Sequence, residues 1–106
     1  MKHVNATPIR AHSPDFRSVT WNYETFYLTP TQAAVVAILW QAWENGAPDV
    51  SGAYLLEAVD STATRLLDLF RRSPAWGRLI VRGATKGTYR LAPAVDERQE
   101  NCAKAA

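Results

Sequence analysis

The most constraining feature of this sequence is the run at residues 33–43, Ala-Ala-Val-Val-Ala-Ile-Leu-Trp-Gln-Ala-Trp. It is apolar almost all round. A helix of this kind is buried on more than one side. In a chain of 106 residues it must be the central helix, covered both by a sheet and by other helices. Gln41 interrupts the run, which is far too short to span a bilayer. Its start is marked by Thr29-Pro30-Thr31-Gln32: a capping Thr, a Pro suited to the first helical position, and a Gln three residues after the cap. Its end is marked by Asn45-Gly46, with Pro48 beyond.

The other elements follow from shorter patterns. Residues 16–28 are rich in aromatic and β-branched side chains and predict a hairpin. Its turn at Asn22-Tyr23 is unfavourable, because Tyr suits a tight primed turn poorly. A looser turn or one bent strand is the alternative. A second helix is expected over about 51–59, with Asp49 or Ser51 as cap. A third is expected over about 62–72, with Ala63, Leu66, Leu67 and Phe70 inward. Pro74 stops it. Residues 79–82 and 88–91 read as a second hairpin around the glycine-bracketed loop Gly83-Ala84-Thr85-Lys86-Gly87. Residues 1–15 read as a flexible lead-in, 16–91 as the one folded domain, and 92–106 as a loose polar tail.

Charge is split along the chain. Residues 24–60 hold Glu24, Glu44, Asp49, Glu57 and Asp60 and no base. Residues 65–90 hold seven bases (Arg65, Arg71, Arg72, Arg78, Arg82, Lys86, Arg90) against one acid, Asp68, a local sum of +6. Such a division predicts one electropositive face, as expected of a protein that meets phosphates. The plain alternative is solvated surface charge. No nucleophile lies beside a plausible base and no phosphate-cradling Gly-rich loop is present, so the chain is not read as an enzyme. One Cys, Cys102, and two distant His residues suggest neither a disulfide framework nor a metal site, and no cofactor is expected. With no apolar run behind Met1, the expectation is a cytoplasmic protein with no membrane partner.

The predicted order is hairpin, helix, helix, short turn, basic helix, basic hairpin. This is an α+β plan of winged helix-turn-helix type, with an N-terminal β-hairpin, three helices and a C-terminal β-hairpin wing. Leu28-Thr29-Pro30-Thr31-Gln32, Val50-Ser51-Gly52-Ala53-Tyr54-Leu55-Leu56-Glu57-Ala58-Val59, Leu79-Ile80-Val81-Arg82-Gly83 and Gly87-Thr88-Tyr89-Arg90-Leu91 occur in that order. Together they resemble the effector domains of bacterial response regulators, over roughly residues 16–91. The resemblance implies a third helix in the major groove and a wing at the minor groove or backbone, with Arg65, Arg71, Arg72 and Lys86 in contact. Ser73-Pro74-Ala75-Trp76-Gly77 and the short link between the second and third helices depart from that pattern.

The residues expected to meet double-stranded DNA are Thr62, Thr64, Arg65, Asp68, Arg71, Arg72, Arg78, Arg82, Thr85, Lys86 and Arg90. Asp68 either accepts from a cytosine amino group or pairs with a neighbouring Arg. Trp40 and Trp43 are expected in the core, and Trp76 as a plug between the third helix and the wing. One such domain covers few base pairs, so a homodimer or a protein partner would supply further affinity. A protein-interaction adaptor and an RNA-binding module are the competing functions.

Overall fold

The computed structural model of the chain describes residues 8–95. It is an α+β fold with three helices and two small antiparallel sheets. The first sheet contains β1 (Arg10–His12), β2 (Ser18–Trp21) and β3 (Glu24–Tyr27), in that spatial order. Strand alternation sends Val19, Trp21 and Phe26 into the core, and Val19 stands directly opposite Phe26. The β2–β3 turn is tight. Asn22 and Tyr23 both have positive φ, 53° and 71°. A left-handed Tyr costs roughly 1–2 kcal/mol. Long-range hydrogen bonds offset that cost: Tyr23 N–H donates to the Ile9 carbonyl at 3.1 Å, and the Asn22 amide donates to Pro93 O at 2.9 Å and accepts from Val95 N–H at 3.0 Å.

Those bonds also carry order beyond 16–91 at both ends. Residues 10–12, expected in a flexible lead-in, pair with β2 in the register Arg10↔Trp21, Ala11↔Thr20 and His12↔Val19. The Arg10 guanidinium lies 5.8 Å from the Trp21 ring and 5.3 Å from the Trp43 ring. His12 stacks on Phe16 with ring centroids 3.7 Å apart. At the other end Trp21 Nε1 donates to Ala92 O at 2.9 Å, and Arg10 donates to Val95 O at 2.6 Å. The lead-in before residue 8 and the tail after residue 95, with His3 and Cys102, lie outside the described residues.

The long helix, α1 (Pro30–Glu44), starts with both arms of its capping box formed. Thr29 Oγ1 accepts from Gln32 N–H at 3.3 Å, and Thr29 N–H donates to Gln32 Oε1 at 3.0 Å. Gln32 reaches further, donating from Nε2 to Leu69 O at 2.8 Å. Within α1 the exposed positions after Pro30 are Thr31, Ala34, Gln41 and Glu44, a narrow stripe. The rest of its surface is buried or half-buried, by the first sheet's Trp21 against Trp40 and Trp43 and by packing on the second sheet and the next helix. Among the described residues no helix is long and apolar enough to cross a membrane.

A two-residue strand, β4 (Val50–Ser51), leads into α2 (Gly52–Ala58), where Ser51 Oγ caps Tyr54 N–H at 3.3 Å. Two strands follow later, β5 (Ile80–Arg82) and β6 (Thr88–Leu91). They join β4 in a sheet of order β4-β6-β5, so the expected hairpin gains a third strand.

The third helix differs most from expectation. It is α3 (Leu66–Leu69), four residues rather than the eleven of 62–72. That is about 6 Å of helix. Ser61 Oγ accepts from Ala63 N–H at 3.0 Å, a local bond that competes with helix. Arg65 is extended (φ −132°, ψ 148°) and contributes no side-chain cap. Arg72 turns the chain with φ 70°. Leu66 and Phe70 are buried as expected, while Ala63 and Leu67 are half-buried.

Candidate functional site

The hairpin of β5 and β6 is held by Asp49, which lies 35 residues from the loop group it binds and 41 from the group it binds on β6. One carboxylate oxygen accepts from Arg90 Nε at 2.5 Å, the other from Ala84 N–H at 3.1 Å. Gly83 permits this approach. A Cβ there would clash with Thr88 Oγ1 and lie 2.7 Å from Asp49 Oδ1. Gly87, with φ +85°, closes the loop, and Gly52 N–H donates to its carbonyl at 2.9 Å. The bond from Arg90 holds the Asp49 carboxyl below its ordinary range against the opposing effect of desolvation, and Ala84 N–H adds to the shift. The same pairing raises Arg90.

Among the described residues, carboxylates meet four of the seven cations between 65 and 90. Asp68 receives Arg71 at 2.7 Å and Arg65 at 3.6 Å, and the Arg71 hydrogen bond is the main reason its pKa is lowered. Arg78 crosses to Glu24 on β3 at 2.6 Å, and Arg90 is held by Asp49. Among the described residues, Arg72, Arg82 and Lys86 have no carboxylate partner. Arg65 and Arg71 keep about two-thirds of their side-chain surface exposed (64% and 66%), so their shared contact with Asp68 leaves them open to other anions.

The surface around α3 and the hairpin is concave. A cleft of about 310 Å³ between them is lined by Arg65, Leu67, Trp76, Arg82 and Tyr89, among others. A second, beneath the loop, includes Arg82, Thr85, Lys86 and Tyr89. A third lies between the start of α2 and α3, with Thr64, Arg65 and Tyr89 in its wall. A fourth runs along Arg65, Arg71, Arg72 and Trp76. Tyr89 is common to the first three and Arg65 to the first, third and fourth, so the four adjoin as one band.

This band gathers seven of the eleven residues expected at the site: Thr64, Arg65, Arg71, Arg72, Arg82, Thr85 and Lys86. Asp68 sits behind it as the acceptor for Arg65 and Arg71. Thr62 is exposed in the turn ahead of α3 and lines none of these clefts. Arg90 is engaged structurally by Asp49, while Arg78 meets Glu24 but stays about two-thirds exposed (65%) and lines none of these clefts. Comparison of the chain with protein families, with curated proteins and with solved structures finds no match.

Several residues of the band were not among those expected to meet DNA, the half-buried aromatics Trp76 and Tyr89 among them. Trp76 stands 5.9 Å from Phe70 and 5.5 Å from Tyr89, ring centroid to centroid. Tyr89 also closes over Gly52, whose added Cβ would sit 2.8 Å from the Tyr89 ring. Strand alternation puts Tyr89 on the same face as buried Leu91. Only the missing side chain at Gly52 lets the ring settle where it lines three clefts.

A pH dependence follows from Asp49. A carboxyl whose folded pKa is depressed contributes stability that is present above its unfolded pKa and is lost as pH falls through the folded value. The stability difference between wild type and Asp49→Asn is therefore expected to be largest near neutrality and to vanish as acid protonates Asp49. Thermal unfolding between about pH 2 and 7 measures it. A difference that persists unchanged in acid would show that Asp49 does not act through its charge.

Proposed function

We propose that this chain binds duplex DNA through the band formed by α3 and the β5–β6 hairpin, on a winged helix-turn-helix plan. The observation that carries the reading is the convergence of Arg65, Arg71, Arg72, Arg82 and Lys86 on adjoining clefts. Cations from the segments flanking α3 and from the hairpin would then make up one face, as a polyanion requires. β4, which leads directly into α2, pairs with β6 and so ties the hairpin to the start of α2, an arrangement that favours reading it as a wing. A helix of one turn presents few side chains to base edges. Phosphate contact therefore supplies most of the affinity, and salt dependence is its signature.

Arg72 is exposed and its backbone is left-handed, as at four other non-glycine positions among the described residues; that conformation costs a non-glycine residue roughly 1–2 kcal/mol, and glycine would relieve it.

The test is duplex binding by fluorescence anisotropy across a salt series. The triple variant Arg65→Ala, Arg82→Ala, Lys86→Ala is expected to lose at least tenfold in affinity at about 0.1 M salt. The slope of log K against log salt should become shallower by about 2 to 3. Arg72→Gly is expected to weaken binding without loss of Tm. Wild-type affinity in the triple variant would show that this face is not the DNA surface.

A further inference from the structure

We propose, on the basis of the nucleic-acid reading above, that the cleft between α3 and the β5–β6 hairpin receives one unpaired base of a bound duplex. The base stacks against the Trp76–Tyr89 pair, and Arg65 and Arg82 hold the flanking phosphates. Phosphate contact alone needs a charged surface, not a concave one partly lined by aromatic rings. Here half-buried Trp76 and Tyr89 and exposed Arg65 and Arg82 line one cleft, beside the aliphatic Leu67, Ile80 and Val81.

At about 310 Å³ the space lies at the small end of ligand pockets, suited to a single ring system. Stacking is tolerant of sequence, because every base has a π-face. It therefore offers base contact to a protein whose α3 is one turn long. Trp76 bridges Phe70 and Tyr89, as a plug between the third helix and the wing would, and it also lines the cleft that Arg65 and Arg82 line. The best substrate is a duplex in which unpairing has already occurred, because extrusion from an intact stack carries an energetic cost that a bulge or mismatch lowers.

Anisotropy at one salt concentration, with a fully paired duplex and the same duplex carrying a single-base bulge, tests this. The bulged duplex is expected to bind about five- to a hundredfold more tightly. A 5-iododeoxyuridine at the bulge should photocrosslink to Trp76 or Tyr89, as mapped by mass spectrometry. Trp76→Leu should lose the preference, bringing the affinities for the bulged and the paired duplex together. If that variant does not fold, the bulge preference and crosslink position of the unmodified protein decide alone. Equal affinity for both duplexes, or a crosslink mapping elsewhere, overturns the base pocket and leaves the basic face standing. Failure to bind either duplex overturns the basic face, and the pocket with it.

Discussion

Trp21→Ala is expected to lower the free energy of unfolding by about 3–5 kcal/mol. The side chain is 1% exposed, so nearly all of its surface is lost to a cavity. Trp40 and Trp43 stand edge-on to it at 5.2 and 5.0 Å, and its indole N–H is bonded to Ala92 O. A domain of this size is stable by roughly 5–15 kcal/mol, so the substitution removes a large part of the total. At about 4–8 °C per kcal/mol, Tm should fall by tens of degrees. Hydrogen exchange should also accelerate at residues 10–12 and 92–95, because Trp21 is the ring that both segments meet. Trp21→Phe should retain more stability yet still lose the bond to Ala92. A loss below about 1 kcal/mol for the alanine variant would mean that this ring is not the centre of the cluster.

Phe70→Ala is expected to cost a similar amount, about 3–5 kcal/mol, but with a different local signature. Phe70 is fully buried and closes α3. One turn of helix has no stability of its own in water. Burial of Leu66 and Phe70 holds α3 in place, together with the bond from Gln32 to Leu69. Removing the ring should raise exchange first at residues 66–70. It should also weaken duplex binding under conditions where the protein is still mostly folded, because Arg65, Arg71 and Arg72 flank α3. Trp21→Ala, in the opposite sheet, should leave the affinity of its folded fraction near wild type. Equal effects of the two substitutions on binding would argue against a local face.

The comparison of sequence and structure turns on the range of each interaction. Thr29, Pro30 and Gln32 lie within one helical turn, so the start of α1 was legible, as was its burial from a run apolar on nearly every side. The hairpin at 79–91 was legible from its glycines, and the cationic stretch from its count. Three features were not. Strands of two or three residues, β4 and β1, show no period, and only their partners identify them. The third helix carried inward residues at helical spacing, but a Ser61 turn and an extended Arg65 shorten it from the front. Arg78 and Arg90 looked free until Glu24 and Asp49, 54 and 41 residues away, came within bonding distance.

By itself, then, the sequence determined the central helix, its cap, the last hairpin and the segregation of charge. Each depends on neighbours along the chain. Tertiary structure alone decided which of the described cations meet a carboxylate, how long α3 is, that Trp76 meets Tyr89, and that Tyr89 closes over Gly52. Those outcomes depend on distances between segments far apart in sequence, and no local pattern encodes such distances.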